Sequence, residues 1–318
     1  MSTPRLILDV DTGEDDALAI LLAVRMELPL AYVFTSYGNT TLANATRNSA
    51  GLLSLLDRPD IPVLPLADTS LQPHPRENLI AATTGFVGAD GLCQTPLPPN
   101  RFDNILQPAD PWAKAAAILH DEGPFTYFAT GPCTNLARLC QRLGPEIQRC
   151  IPRVIIMGGA LLAPGNSGAR DEAGKAAAEF NFYNDAEAVE IVLQAGLAIE
   201  LVSWDITRLV TLPPETVAGL QADEPVGQFA IQLMQNFLAH YGIAHNRPFE
   251  LNDPLTLLTY LGWGHQEPLR IKMVCAGDQY GRSYLAGDGY PISYWQLAEE
   301  DWAAAKQTIL EALGVRAG

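Results

Sequence analysis

The 318-residue sequence predicts an α/β fold: a single domain over residues 1–318, with a central, mostly parallel sheet flanked by helices. Three observations predict it. Short apolar runs alternate with segments of helical periodicity, the pattern of a sheet buried on both faces. Polar residues able to do chemistry collect just after those runs, where an open parallel sheet binds ligands. No internal repeat, low-complexity tract or linker divides the chain.

The first run, Leu6-Ile7-Leu8, leads into Asp9, Asp11, Gly13, Asp15 and Asp16, before the apolar-periodic residues 17–24. This predicts a buried strand, a glycine turn and a helix with acidic residues in its first turn. The helix macrodipole accounts for Glu14, Asp15 and Asp16. It does not account for Asp9 and Asp11 at a strand end. Carboxylates this close repel unless a cation sits among them, and hard oxygen ligands favour calcium or magnesium over zinc.

Further along, residues 30–36 read as a second strand closed by Tyr37-Gly38-Asn39, residues 40–56 as a helix, and 61–65 as a short strand. Residues 66–104 are rich in Pro, Gly, Thr and Asp and are expected to be a functional loop or lid. Helices are expected at 111–120 and 136–141, the latter capped by Thr134 and Asn135, with a strand at 125–129 between them. Strands are also expected at 154–157, 199–203 and 271–275. Residues 160–178 read as a mobile, Gly- and Ala-rich segment that could act as a lid. Helices are expected at 186–194, 214–222, 226–240 and 299–313, and one begins at Asn252-Asp253-Pro254 with Pro254 in its first position. Residues 241–250 read as irregular.

Composition narrows the function classes. A formal net charge of −16 without any basic run argues against binding nucleic-acid polymers. No run of about 18 apolar residues is present to span a membrane. Met1 leads almost directly into the first strand, leaving no room for a signal peptide. Five scattered cysteines, Cys93, Cys133, Cys140, Cys150 and Cys275, lack metal or redox spacing and predict reduced thiols in a cytoplasmic protein.

The pattern Asp-x-Asp-x-Gly-x-Asp-Asp at positions 9–16 is joined by Asn39 and Thr46-Arg47-Asn48. Later come Thr130-Gly-Pro-Cys-Thr-Asn-Leu-Ala137, Ile156-Met-Gly-Gly159, Ala178-Glu-Phe-Asn181 and Asn252-Asp-Pro254. Together, and in this order, they resemble the inosine-uridine-preferring nucleoside hydrolase family. The resemblance implies the nucleoside hydrolase fold with its Rossmann-like core and one Ca²⁺ per subunit. It also implies a role in purine or pyrimidine salvage and a homodimer or homotetramer. Asp11 is similar to the family's general base, which also touches the metal. Asp16 and Asp253 resemble metal carboxylates, and Thr130 a carbonyl ligand. Asp15 resembles the residue that bonds a ribose hydroxyl. Asn39, Asn166, Glu179 and Asn181 resemble the remaining sugar ligands, and Met157 a residue packed near the ribose. Asp9 is expected to support the metal site from behind.

These residue types suit N-glycosidic hydrolysis on chemical grounds. The sugar passes through an oxocarbenium-like state, a cation lowers the pKa of water, and a carboxylate takes the proton. The leaving-group side departs from the family pattern. Many members carry a His in a His-Gly-x-x-Gly motif and another before the late metal Asp. Here the matching stretches are Thr84-Gly-Phe-Val-Gly88 and Asn252-Asp253, and neither Thr nor Asn is a general acid near neutral pH. Protonation of the leaving group must come from elsewhere, with His240, Tyr241 and His245 as candidates, or the substrate needs less of it; Trp204 could stack on the base. His74, His120 and His265 read as surface residues.

The expected function is Ca²⁺-dependent hydrolysis of a purine or pyrimidine ribonucleoside to ribose and free base. One alternative is a non-catalytic or altered-specificity protein that binds ribosyl compounds. Another is an aspartyl-nucleophile phosphatase, because a strand ending in Asp-x-Asp also resembles the start of haloacid-dehalogenase-like phosphatases. That alternative makes Asp9 the nucleophile and needs a lysine after a later strand. None of Lys114, Lys175, Lys272 or Lys306 is placed there.

Overall fold

The computed structural model describes residues 4–73, 79–170 and 172–318. His74 lies outside the described residues. The strands, in chain order, are β1 (Arg5–Val10), β2 (Leu30–Thr35), β3 (Val63–Pro65), β4 (Phe125–Ala129), β5 (Arg153–Met157), β6 (Gly165–Arg170), β7 (Ile199–Val202), β8 (Thr211–Leu212), β9 (Leu220–Gln221), β10 (Phe249–Glu250), β11 (His265–Met273), β12 (Ser283–Leu285), β13 (Tyr290–Gln296) and β14 (Arg316–Ala317). Nine of them form one sheet in the order β12-β11-β13-β7-β5-β4-β1-β2-β3. Pairing is parallel from β13 through to β3, and β11 runs antiparallel to both β12 and β13.

Strand order reverses between β1 and β4, so the chain winds outward in both directions from that pair. Their carboxyl ends open a crevice, and such switch points are where open α/β sheets bind ligands. Asp9 stands level with Ala129 on one side and Phe34 on the other. Asp11 and Thr130 therefore emerge at the same edge.

Within β1 the period-two alternation divides the core. Leu6, Leu8 and Val10 pack on one face with helices Glu14–Arg25, Pro225–Phe237 and Asn252–Leu258. Ile7 faces the other side, with helices Pro111–Glu122, Thr134–Leu143 and Ala186–Gln194. A strand buried on both faces needs apolar residues at successive positions, which is why these central strands were legible as unbroken runs.

The outer sheet was less legible. Residues 271–275 read as one strand, whereas β11 begins at His265 and pairs along its length with β13. β13 carries Pro291, Ser293 and Gln296 among its apolar residues and is only half buried, so no continuous apolar run marks it. Residues 66–104, read as loop, contain the helix Leu79–Val87. The segment 160–178, read as mobile, contains β6, which bridges back to Ala176 and Ala178.

Two expected helix starts move. Cys133 caps helix Thr134–Leu143, so Thr134 and Asn135 lie inside it, where their side chains reach across to Asp185 and Asp9. The late helix begins at Asn252, and Pro254 is its third residue rather than its first. A Pro in the first turn removes a backbone N–H that would have no helical partner, so either position is compatible with it. Among the described residues no helix is long and apolar enough to cross a membrane.

Candidate active site

Asp9 is buried at the base of the crevice, and both its oxygens are taken. Tyr127 Oη donates to Oδ2 at 2.7 Å and Asn135 Nδ2 to Oδ1 at 2.6 Å. Asn135 also donates to the Thr35 carbonyl and accepts the Ala67 N–H. Asp9 thus ties β4, β2 and the helix from Thr134 together. Burial pushes its carboxyl up to about 7 despite those two bonds. Asp9, Asp11 and Asp16 all lie just beneath the cavity lining, but with both oxygens engaged Asp9 has none left to serve as the phosphatase nucleophile, unlike Asp11.

Asp11 is fully buried and is approached closely by two glycines. A Cβ at Gly38 would collide with its Oδ2, and one at Gly131 would lie 3.1 Å from its Cβ and backbone nitrogen. This approach lets the Asn39 N–H donate to Asp11 Oδ2 at 2.6 Å. Asp11 Oδ1 has no partner. Burial, then Asp16, pushes this carboxyl well above the usual carboxylate range.

The helix from Glu14 supplies the next two acids. Asp16 accepts from the Thr130 hydroxyl at 2.6 Å and from the Gly13 N–H at 3.3 Å, satisfying a donor at the helix start. Asp15 accepts from the Asp16 N–H and from Asn252 Nδ2. Burial, then the Asp16 charge, pushes Asp15 up to about 7. Asp253, from the next helix over, is raised well above its ordinary value by burial and then by Asp15, Asp16 and Asp11.

Asp15, Asp16 and Asp253 each present a carboxylate oxygen within 4.8 Å of the others. Among the described residues no Lys, Arg or His is bonded to any of these three or to Asp11. Four buried acids with no basic side chain bonded to them, one with an orphaned oxygen, fit a hard divalent ion. The geometric trio differs in one member from the set expected from sequence. It includes Asp15, which sequence reasoning gave to the sugar, and Asp11 stands beside it.

A cavity of about 240 Å³ opens above these acids. Asp15, Asn39, Thr130, Met157, Asn166, Glu179, Asn181, Trp204 and Asp253 all line it, as the sequence expected of a common site. Asn181 Nδ2 donates to the carbonyls of Thr130 at 2.7 Å and Met157 at 3.2 Å, joining the ends of β4 and β5. Glu179 caps helix Phe180–Asn184, taking the N–H groups of Asn181, Phe182 and Gly159. Burial raises its carboxyl even so. Around the cavity, among the described residues, the buried side-chain atoms without partners are all oxygens: Asp11 Oδ1, Glu14 Oε2, Asn166 Oδ1 and Asn252 Oδ1. Such a lining suits a ligand of hydroxyl groups together with a cation.

Of the three candidate acids, Tyr241 lines the cavity and the two histidines do not. His240 and His245 are both exposed and neither lines the cavity. His245 instead stacks on Tyr241 with ring centroids 3.9 Å apart, and its Nδ1 bonds the Tyr241 carbonyl. The short helical turns at Leu238–Gly242 and Ile243–His245 rotate both imidazoles outward and leave Tyr241 facing in. Thr84 is exposed as well, while Thr83 and Phe86, one residue before and two after it, line the cavity. Sequence reasoning missed Arg247 and Glu250, which also line it and form an i,i+3 ion pair. That spacing was the available signal.

A family model described as inosine-uridine preferring nucleoside hydrolase matches residues 6–309. The chain belongs to that family. It is 36% identical over 265 residues to the pyrimidine-specific ribonucleoside hydrolase RihA of Shewanella woodyi, covering 80% of this chain and 78% of that one. The RihA of Photobacterium profundum is also 36% identical, over 269 residues, covering 81% and 79%. Among solved structures, a purine-preferring ribonucleoside hydrolase from Gardnerella vaginalis superposes with a TM-score of 0.83 at 22% identity, covering 98% of this chain and 99% of that one. The plant nucleoside hydrolase PpNRh1 gives 0.83 at 25% identity with the same coverage. This family member is therefore a ribonucleoside N-ribohydrolase, from a metal-dependent family whose acidic cluster it retains.

Proposed function

We propose that this enzyme hydrolyses the N-glycosidic bond of purine or pyrimidine ribonucleosides in a Ca²⁺-dependent reaction, with Asp11 as general base. The observation that carries the proposal is the unpartnered Asp11 Oδ1 beside the buried Asp15–Asp16–Asp253 trio. Asp11, Asp16, Asp253 and the Thr130 carbonyl are the residues that would hold the cation, with Asp15 shared between cation and sugar. When bound, a divalent cation supplies Lewis-acid activation and neutralises these acids.

The chain's own groups do the rest. Asn39 holds Asp11 by one oxygen and leaves the other to take a proton from the attacking water. As positive charge grows at C1′ in the oxocarbenium-like state, the surrounding carboxylates stabilise it. Asn39, Asn166, Asn181 and Asp15 bind ribose hydroxyls. Glu179 can add to them, since a carboxylate has about four lone-pair sites and three are taken by backbone N–H groups. Met157 packs on the sugar, and Trp204 stacks on the base. We place the reaction in the cytoplasm, in keeping with five cysteines that are all free thiols, and in the salvage of bases. All 318 residues act as one domain within a homodimer or homotetramer.

The test is base release from uridine, cytidine, inosine and adenosine, before and after thorough chelation, with Ca²⁺ or Mg²⁺ restored separately. Loss on chelation with recovery by Ca²⁺ is expected. Undiminished turnover after chelation would overturn the cation's role.

A further inference from the structure

We propose that Arg247 is the leaving-group residue of this enzyme, its guanidinium stabilising the departing base as an anion so that no acid need protonate it. The inference rests on the ribohydrolase activity above and supplies the half of the bond that the acidic cluster leaves unexplained.

Among the described residues lining the cavity, Arg247 alone carries a positive charge, and no His, Lys or Cys lines it. It belongs to the segment that leads into Asn252 and Asp253, and it lines the same cavity as that cluster. Its guanidinium lies 5.7 Å from the centroid of the Trp204 ring, and Nη2 bonds Glu250 Oε1 at 2.5 Å. Glu250 thus fixes one corner of a planar group that has five N–H donors, and the others remain available to a ligand. Ribose hydroxyls belong with the carboxylates and Asn side chains at the cavity floor. The aromatic wall of Phe86, Trp204 and Tyr241 is left for the base, and Arg247 stands in that wall.

The electrostatics need such a group. Glu14, Asp15, Glu179, Glu250 and Asp253 all face the cavity, so an anion forming there would be repelled. A guanidinium anchored in advance meets the charge as it develops, without reorganisation in the transition state. The bonds balance as follows. Water oxygen bonds to C1′ while its proton passes to Asp11. The C1′–N bond breaks with its electron pair remaining on the base. The base leaves paired to Arg247 and takes a proton from solvent, and Asp11 returns its proton to solvent. Substrates whose bases bear oxo groups and form stable anions gain most from this arrangement.

Steady-state rates on uridine, 5-fluorouridine and p-nitrophenyl riboside, in wild type, Arg247→Gln and Arg247→Lys, test the proposal. Arg247→Gln should lower kcat on uridine roughly a hundredfold, the scale of losing one transition-state donor. The loss should shrink with 5-fluorouridine and fall below about fivefold with p-nitrophenyl riboside, whose leaving group needs little help. Arg247→Lys should restore about a tenth of wild-type kcat on uridine, keeping charge without the planar fork. Equal losses on all three substrates, a change confined to KM, or no change would overturn the role while leaving the hydrolase intact. A double variant, Arg247→Gln with Glu250→Gln, removes the buried unpaired acid that the single change creates. If it regains wild-type rates, the pair is structural and the proposal fails. Wild type releasing no leaving group from any of the three would instead sink the hydrolase activity itself.

Discussion

The floor and the wall of this cavity are built differently. In the floor and directly beneath it, Asp9, Asp11, Asp16, Thr130, Glu179 and Asn181 are each at most 5% exposed and come from strand ends or the first turns of helices. Backbone N–H groups and neighbouring side chains hold nearly every one of their oxygens. In the wall, Phe86, Tyr241 and Arg247 are partly exposed and come from a helix and from short irregular turns, including the π-helical turn Leu238–Gly242. A ring contact connects Phe86 to Tyr241, 4.7 Å between centroids, and the outward-facing His245 stacks behind Tyr241 at 3.9 Å. The difference follows from what each half must do. Under the proposed function, sugar and cation chemistry needs charges placed on rigid elements, whereas a wall that meets the base can vary without disturbing the sheet.

Disrupting the floor should cost most. Asp11→Ala should lower kcat by about a thousandfold or more, the range of a general base, and an unchanged rate would break the proposed mechanism. The same variant should raise the melting temperature of the metal-free protein, because it removes one of four mutually repelling buried acids.

Cation removal probes the floor as a unit. Chelation should abolish turnover, and Ca²⁺ at about a hundred times its Kd should raise Tm by roughly 5 °C. The sign of the pH effect follows from Asp15. Its carboxyl is raised from 3.8 to about 7 in the fold, so between those values the folded state binds more protons than the unfolded one. Metal-free protein should therefore lose stability as pH rises from about 4 to about 7. With Ca²⁺ present that slope should flatten. A metal-free Tm that increases with pH over this window would contradict the cluster's mutual repulsion.

Asn166→Ala tests where floor and wall meet. Removing a buried carbonyl oxygen that has no protein partner should cost about tenfold in kcat/KM and leave Tm within about 2 °C. A larger fall in stability would make Asn166 structural. Trp204→Ala should cost about tenfold or less, differing between purine and pyrimidine nucleosides, which is the scale of one stacking contact. His240→Ala and His245→Ala should each change kcat by less than about twofold, since both imidazoles face outward. A large loss in either would restore a histidine acid and abolish the contrast between floor and wall.

The central sheet and most of the floor were legible because their constraints are local. A strand buried on both faces must be apolar throughout, and Gly13 must lack a Cβ because Asn39 packs against it, so β1 and its acids announce themselves in eleven consecutive letters. β13 was not legible, because a half-buried strand with Pro291 near its start shows no unbroken run. Thr84 and the two histidines misled for a similar reason. A helix places adjacent side chains about 100° apart, so a spacing one residue out puts Thr83 and Phe86 inward and Thr84 outward.

From the sequence alone came the family, the α/β class, the acids of the cluster and the amides that line the cavity. Only the tertiary structure decided which residues form the cavity's wall. That choice depends on how the turns between Leu238 and Glu250 rotate each side chain against Trp204 and Phe86, and no local periodicity encodes that rotation. It turned His240 and His245 out to solvent and brought Arg247, whose only signal was a charge pair three residues apart, into the cavity.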